Sequence, residues 1–233
     1  MTLRDDWEEQ APNWIRWARE PDHDSYWRFH REGFLASLPA PGRLTLDIGC
    51  GEGRVSRDLR ELGHRVIGMD RSPSMIAAAR EADPEGEYVE ADAAALPFED
   101  GSADLVIAFM SLMDMDEMPA SVRELARVLE PGGLFVASVV HPLNSAGQFA
   151  PRDGGEDAPY VIDSYREQRR YADTIERAGL PMTFNSTHFT LEDFWRAFRD
   201  ARLVVTDLRE GYDDDNPRWS RMPLFLRLHA VRS

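Results

Sequence analysis

The chain has 233 residues, a formal net charge of −15 and 42% hydrophobic residues, enough apolar material for one buried core and too much for bulk disorder. All 27 basic residues are arginine, which removes a P-loop lysine and a Schiff-base lysine for pyridoxal phosphate, and the negative balance disfavours a general nucleic-acid binder. Cys50 is the single cysteine, so an internal disulfide or a cysteine-rich zinc site is ruled out; with no membrane-length apolar stretch and no apolar signal region, a cytoplasmic protein is expected.

Met1 to Leu38 reads as two helices dense in aromatics, with Trp7, Trp14, Trp17, Tyr26, Trp27 and Phe29. "RLTLDIG" is a β-like run, and "EGRVSRDLREL" sets Val55, Leu59 and Leu62 at helical spacing with Gly63 as a stop. "RVIGMD" predicts a second strand. "SPSMIAAAREA" predicts a helix with Ser72 as N-cap and Pro73 at its first position. "GEYVEAD" and "ADLVIAFM" read as strands three and four, "PASVRELARVL" as a helix, and "PGG" as a break before the fifth strand, "LFVASVV". Asn144 to Phe189 reads as irregular, with turn-rich "RDGGEDAP" and a helix around "SYREQRRYADTIERAG". Thr190 then caps a helix with Leu191, Phe194, Trp195 and Phe198 as its apolar stripe and Asp193 completing a capping-box pattern. "RLVVTDLRE" and "LFLRLHAV" form two last strands joined by the acidic hairpin "GYDDDNPRWSRMP". Strand–helix alternation predicts a parallel sheet with helices on both faces and right-handed crossovers. No repeat or linker divides the chain. One domain over 1–233 is expected, organised as a cap (1–40), a core (41–142), a lid insertion (143–189) and a final helix with two strands (190–233).

Ligands of open α/β sheets sit beyond the carboxyl ends of the strands, near the point where strand order reverses. The loop "LDIGCGEGR" occupies that position. A dinucleotide fingerprint has the spacing G-x-G-x-x-G; here Gly49, Gly51 and Gly53 are spaced G-x-G-x-G, and position 54 is Arg. Asp47 precedes the loop, where a carboxylate repels pyrophosphate and attracts a cation. The expected ligand therefore carries positive charge, as S-adenosylmethionine does through its sulfonium and ammonium groups. Cys50, between two glycines, reads as a small packed residue.

"LDIGCGEG", "VIGMDRSPSM", "VEADAAALPFEDGSADLVIA" and "ELARVLEPGGLFVAS" occur in the order and spacing of the class I S-adenosylmethionine-dependent methyltransferases, and the chain resembles that family over about Leu44 to Val140. The resemblance implies a Rossmann-like α/β fold with a seven-stranded, mostly parallel sheet whose last strand is antiparallel, plus an N-terminal helical cap and an insertion after strand five. It implies that Asp47 holds the methionine ammonium. Gly49, Cys50, Gly51 and Gly53 would bring backbone against the methionine and ribose. Asp70 would take both ribose hydroxyls, for which a carboxylate has the acceptor geometry. Arg71 lies beside it, Met75 near the adenine, and Asp92 with the Ala93 amide on the adenine edge. Met110 and Ser111 would line the methionine end, and Tyr26 and Trp27 would close the cap over the donor.

The acceptor should lie past strands four and five. His141, ending strand five, and His188, before the capped helix, are the candidate general bases. Asp114, Asp116 and Glu117 read as helix-start acids favoured by the dipole, and Asp213 to Asp215 as a solvated hairpin tip; neither has the spacing of a metal site, and no metal is expected. The resemblance points to the branch that includes quinone and secondary-metabolite methyltransferases. Its implied reaction moves a methyl group by in-line displacement onto O, N or activated C of a small acceptor, leaving S-adenosylhomocysteine. A tRNA-modifying methyltransferase, hinted at by "REQRR", and a non-catalytic S-adenosylmethionine-binding protein are the alternatives. Oligomeric state and acceptor identity are open at this level.

Overall fold

A computed structural model describes residues 2–21 and 23–233. Its centre is β1 (Thr45–Ile48), buried at all four positions, as a parallel strand covered on both faces must be. β2 (Val66–Asp70) and β3 (Glu87–Glu90) lie on one side of it, β4 (Ala103–Phe109) and β5 (Leu129–Val140) on the other, all parallel. β10 (Leu203–Gly211) and β11 (Phe225–Arg232) complete a seven-stranded sheet of order β10-β11-β5-β4-β1-β2-β3, with β11 antiparallel to both neighbours. Strand order reverses between β1 and β4. The carboxyl ends of β1, β2 and β4 therefore diverge into a crevice that no crossover fills.

Alternation along the strands divides the core. Leu105, Ile107 and Phe109 face one side of the sheet with Val136 and meet Val55, Leu59, Tyr26 and Phe34, which come from α3 (Arg54–Glu61), a wide helical turn at Tyr26–His30 and α2 (Arg31–Leu35). Val106, Ala108, Phe135 and Ala137 face the other side and meet α5 (Met118–Val128) and α7 (Leu191–Asp200). α4 (Pro73–Ala82) begins where the sequence places it, with the Ser72 hydroxyl accepting from the Met75 N–H. Thr190 and Asp193 form the expected capping box of α7.

Three expectations are corrected. The predicted helix around 164–179 is a strand, β8 (Arg169–Arg177), paired antiparallel with β9 (Leu180–His188). Its two-residue turn, Ala178-Gly179, holds positive φ at both positions, 47° and 75°, the conformation that matches hairpin twist. A helical reading of 169–177 overlooks the partner strand, which satisfies the backbone instead. The rest of the insertion is also ordered: α6 (Pro142–Ala146) precedes a small hairpin of β6 (Gly147–Phe149) and β7 (Tyr160–Ile162). In α7 the buried strip is Phe194, Ala197 and Phe198, while Leu191 and Trp195 stand 41% and 54% exposed, because a helix laid on a sheet buries a stripe narrower than its apolar face. Finally, the Pro131-Gly132-Gly133 segment does not precede β5 but lies inside it, absorbed by a shift in register against β4.

α1 (Leu3–Arg19) is the longest helix among the described residues and starts at a Thr2–Asp5 capping box. Trp14 and Trp17 stand edge-on to Phe184 of β9, at centroid distances of 6.0 and 5.9 Å. Trp17 also packs with Leu180 and Met182. Glu8 accepts from the Ser72 and Ser74 hydroxyls at the start of α4, at 2.5 Å each. Helix α1 is thus clamped between the β8–β9 hairpin and α4, across the mouth of the crevice.

Candidate active site

The loop after β1 turns sharply because the Gly49 and Cys50 N–H groups both donate to the Met69 carbonyl, at 2.7 and 2.9 Å. Gly49 has φ +73°, and a Cβ there would lie 2.4 Å from the Ser111 Cβ, so only glycine fits against β4. Asp47 is 1% exposed, and one of its oxygens accepts from the Ser56 hydroxyl at 2.6 Å. Burial, abetted by the Asp70 charge, pushes its pKa up to about 6 against the Ser56 bond and Arg54. The carboxylate lacks solvation that a bound cation would restore. Asp70 ends β2 with each oxygen taking one backbone donor, the Gly51 N–H and the Ser72 N–H, both at 2.9 Å. That fixes the carboxylate plane and leaves each oxygen a second lone pair for a diol. Burial raises its pKa too, opposed by those N–H donors.

Asp47 and Asp70 open into one cavity with about 950 Å³ of empty space, the open solvent at its mouth included. Of the predicted cofactor residues, Gly49, Cys50, Gly51 and Arg71 line it, as do Met75, Ala93, Met110 and Ser111. The Cys50 thiol has its pKa pushed well up by burial and the neighbouring acids and packs beside Ile76, Ala79 and Tyr88, which disfavours the thiolate.

Other predicted residues stand elsewhere. Gly53 lies off the cavity: it is the left-handed residue before α3, where a Cβ would strike the Tyr88 ring at 2.9 Å. Asp92 sits at the rim, its Oδ1 accepting from the Ala94 N–H and its Oδ2 3.4 Å from Arg71. Tyr26 is fully buried beneath the site, donating to Asp58 at 2.5 Å, and Trp27 is turned outward with its indole N–H on the Ala18 carbonyl. The cap contacts come instead from α1: Leu3, Arg4, Trp7 and Trp14 line the cavity. Their common helix face was readable as a stripe, but not which helix of the aromatic-rich segment faces the crevice.

Neither candidate histidine reaches the cavity. His141 is 1% exposed; its Nδ1 accepts from the Leu143 N–H and its Nε2 lies 3.1 Å from Glu210. Burial lowers its pKa against the pull of Glu210. His188 is fully buried between the Ser145 hydroxyl (2.7 Å) and the Tyr165 carbonyl (2.8 Å). With both nitrogens engaged by protein, His141 ties the start of the insertion to β10, and His188 ties two parts of the insertion together.

Two charged groups replace them. Arg54, 6% exposed, lines the cavity, is ion-paired with Asp24 and lies over the Trp14 ring at 4.8 Å. Asp114 also lines the cavity and accepts from the Ser186 hydroxyl of β9 at 2.6 Å; burial, with the Asp70 charge, pushes its pKa well up. Asp114 is therefore not the solvated helix-start acid its spacing suggests. The strand-end rule that singles out Asp47 and Asp70 applies equally to Asp114, just past β4. Its neighbour Asp116 ties the roof, taking Arg71 at 3.0 Å, Arg170 at 2.7 Å and the Leu3 N–H at 2.9 Å. Arg169 is likewise spent on the Ser164, Ser145 and Ala146 carbonyls, which weakens the "REQRR" hint of an RNA-binding face. Among the described residues no cluster of three His, Cys, Asp or Glu side chains suits a metal ion, and no helix is long and apolar enough to cross a membrane.

A Rossmann-like sheet carrying acids, not a phosphate cradle, at its switch point defines a cofactor-binding α/β protein whose ligand is a cationic nucleoside. The model of a methyltransferase domain matches residues 46–137. A probable S-adenosylmethionine-dependent methyltransferase of Mycolicibacterium smegmatis is 30% identical over 190 residues, 81% of this chain and 68% of that protein. A malonyl-(acyl-carrier protein) O-methyltransferase of Pectobacterium atrosepticum is 38% identical over 105 residues, so the match spans 45% of this chain and 42% of that protein. Among solved structures, an S-adenosylmethionine-dependent methyltransferase of Mesorhizobium loti superposes with a TM-score of 0.73 at 25% identity, covering 91% of this chain and 100% of that one. The chain belongs to the S-adenosylmethionine-dependent methyltransferases, and S-adenosylmethionine is its cofactor. The residues fit it: a buried carboxylate short of solvation, a second with a free lone pair on each oxygen, and a glycine loop admitting close approach.

Proposed function

We propose that this protein methylates a small organic acceptor, and that the donor is held by Asp47 at its ammonium and Asp70 at its ribose diol. The observation that carries this reading is the pair of Asp47 and Asp70, at the ends of adjacent parallel strands, opening into one cavity roofed by α1. Met69, Met75, Ala91 and Ala93 give that cavity an apolar wall suited to a purine. Arg54 and Arg4 bring positive charge for the methionine carboxylate. Bound there, S-adenosylmethionine supplies a methyl group made electrophilic by its sulfonium charge. The protein's part is to align the acceptor and exclude water, which the α1 roof, fastened by Glu8 and Asp116, is built to do.

A small acceptor is favoured by the formal charge of −15, which repels a polyanion, and by Arg169 being bonded to carbonyls of the insertion and Arg170 to Asp116 and Asp6. The relative from Pectobacterium is named for methylating the oxygen of a carrier-bound malonyl group, which supports an oxygen of a small organic group as the acceptor atom. The test is methyl-labelled S-adenosylmethionine offered with phenols, quinols, amines, short carboxylic acids and bulk tRNA, reading label and S-adenosylhomocysteine. Turnover with a small acceptor and background counts in tRNA are expected. Labelled tRNA would overturn the reading; tight donor binding with no turnover on any acceptor would leave a binding protein.

A further inference from the structure

Resting on the small-acceptor reading, we propose that Asp114 is the catalytic proton acceptor of this cavity and that the methyl acceptor presents a neutral hydroxyl of phenol or enol type. Four carboxylates line the cavity, Asp47, Glu52, Asp70 and Asp114, of which Glu52 is ion-paired with Arg19 and Arg57. Asp47 and Asp70 are committed to the donor by the loop that positions them, while Asp114 stands outside that loop, on the turn Leu112–Asp114 that follows β4. It is reached from the opposite wall by the β8–β9 hairpin, whose Ser186 hydroxyl grips Oδ1 at 2.6 Å. One oxygen is therefore fixed and the carboxylate cannot swing away. Both candidate histidines are bonded at both nitrogens and lie off the cavity.

The groups facing Asp114 determine when it is a base. They are the Asp70 carboxylate from β2, the Tyr171 phenol from β8 opposite Ser186, and, lining the same cavity, Asp47, Glu52, Arg4, Arg54 and Arg71. Tyr171 stays neutral, its pKa pushed up by burial and by the Asp114 charge. Without donor, burial beside Asp70 favours protonated Asp114. A cation in the cavity reverses that preference, so arrival of S-adenosylmethionine sets the base, and the acceptor follows. An acceptor hydroxyl proton then passes to the Asp114 carboxylate. The oxygen lone pair forms the bond to the methyl carbon, the carbon–sulfur bonding pair stays on sulfur, and the neutral thioether and protonated Asp114 remain. An acceptor carboxylate would need no base and would meet Asp70 and Asp114 beside the donor; a neutral hydroxyl needs the base and is not repelled.

The experiment compares wild type with Asp114→Asn by calorimetry in buffers of differing ionisation enthalpy, titrating S-adenosylmethionine and, separately, uncharged-sulfur S-adenosylhomocysteine. The expected result is that the sulfonium ligand releases more protons than the thioether in wild type, that this excess disappears in Asp114→Asn, and that thioether affinity is kept within about threefold. With phenol and catechol acceptors, turnover by Asp114→Asn should fall by about 10²–10⁴-fold. An undiminished proton excess, or turnover near wild type, overturns the proposal. Should the Asn variant fail to bind S-adenosylhomocysteine, Ser186→Ala decides: loss of its hydrogen bond should move the proton excess to higher pH, and an unchanged profile overturns the proposal. If wild type turns over none of the small acceptors, the small-acceptor reading fails while the proton count still judges Asp114.

Discussion

At the scale of single residues, the cavity is lined by carboxylates whose charged form burial disfavours, a state that the proposed donor's cation would relieve. Asp47 is the clearest case. With its pKa at about 6 in the folded chain and an ordinary carboxylate value unfolded, the native state binds more protons than the unfolded one between those values. Stability therefore falls as pH rises through that window, and the full cost, about 2–3 kcal/mol, is present above pH 6. Asp47→Asn keeps the Ser56 contact and removes the charge. The unliganded variant should be more stable than wild type by about that amount at pH 7.5 in urea titrations, and its S-adenosylmethionine affinity should collapse. The same proton competes with the donor: the Asp47 share alone should put affinity at pH 5 about tenfold below that at pH 7.5, and Asp47→Asn should flatten the slope by that share, leaving only what Asp114 contributes. A stabilising substitution that leaves binding intact would remove Asp47 from the site.

At the scale of elements, the roof depends on aromatic packing between two segments distant in sequence. Phe184 of β9 stands against both Trp14 and Trp17 of α1, so the hairpin and the N-terminal helix close the cavity together. Phe184→Ala should cost about 2 kcal/mol locally. Hydrogen exchange should quicken in α1 and β8–β9 while β1, β4 and β5 stay protected. If the cap then opens in the free protein, donor affinity drops by up to about thirtyfold, the same 2 kcal/mol read as binding. Uniform loss of protection across the sheet would show that cap and core are one cooperative unit.

For the whole molecule, the cavity joins elements that the chain brings from far apart, the loops after β1 and β2, the turn after β4, and α1, and a donor bound as proposed would tie them together. Any ligand that binds only the folded state raises its stability by mass action, by about 2.7 kcal/mol at a hundred times its Kd. In a chain of this length that raises Tm by about 5–10 °C. S-adenosylmethionine should produce that shift and NAD should not. Asp70→Ala should abolish it, because two charge-assisted hydrogen bonds to the ribose diol are lost. A shift with NAD would point back to a dinucleotide site.

The local chemistry of the sequence determined the alternating core. Each strand from β1 to β5, the Ser72 and Thr190 caps, and the acids Asp47 and Asp70 follow from patterns spanning a few residues, and those patterns coincide with the final packing. Neighbours far along the chain decided the rest. Arg169–Arg177 became a strand because Leu180–His188 lies beside it. Trp14 of α1, not Tyr26 or Trp27, became the roof because Phe184 receives it. His141 and His188 became internal braces because Glu210, Ser145 and Tyr165 occupy their nitrogens, and Asp114 became a cavity acid because Ser186 crosses the crevice to hold it. Short-range periodicity fixes which way a side chain leaves its own strand or helix; only tertiary packing decides what waits on the other side.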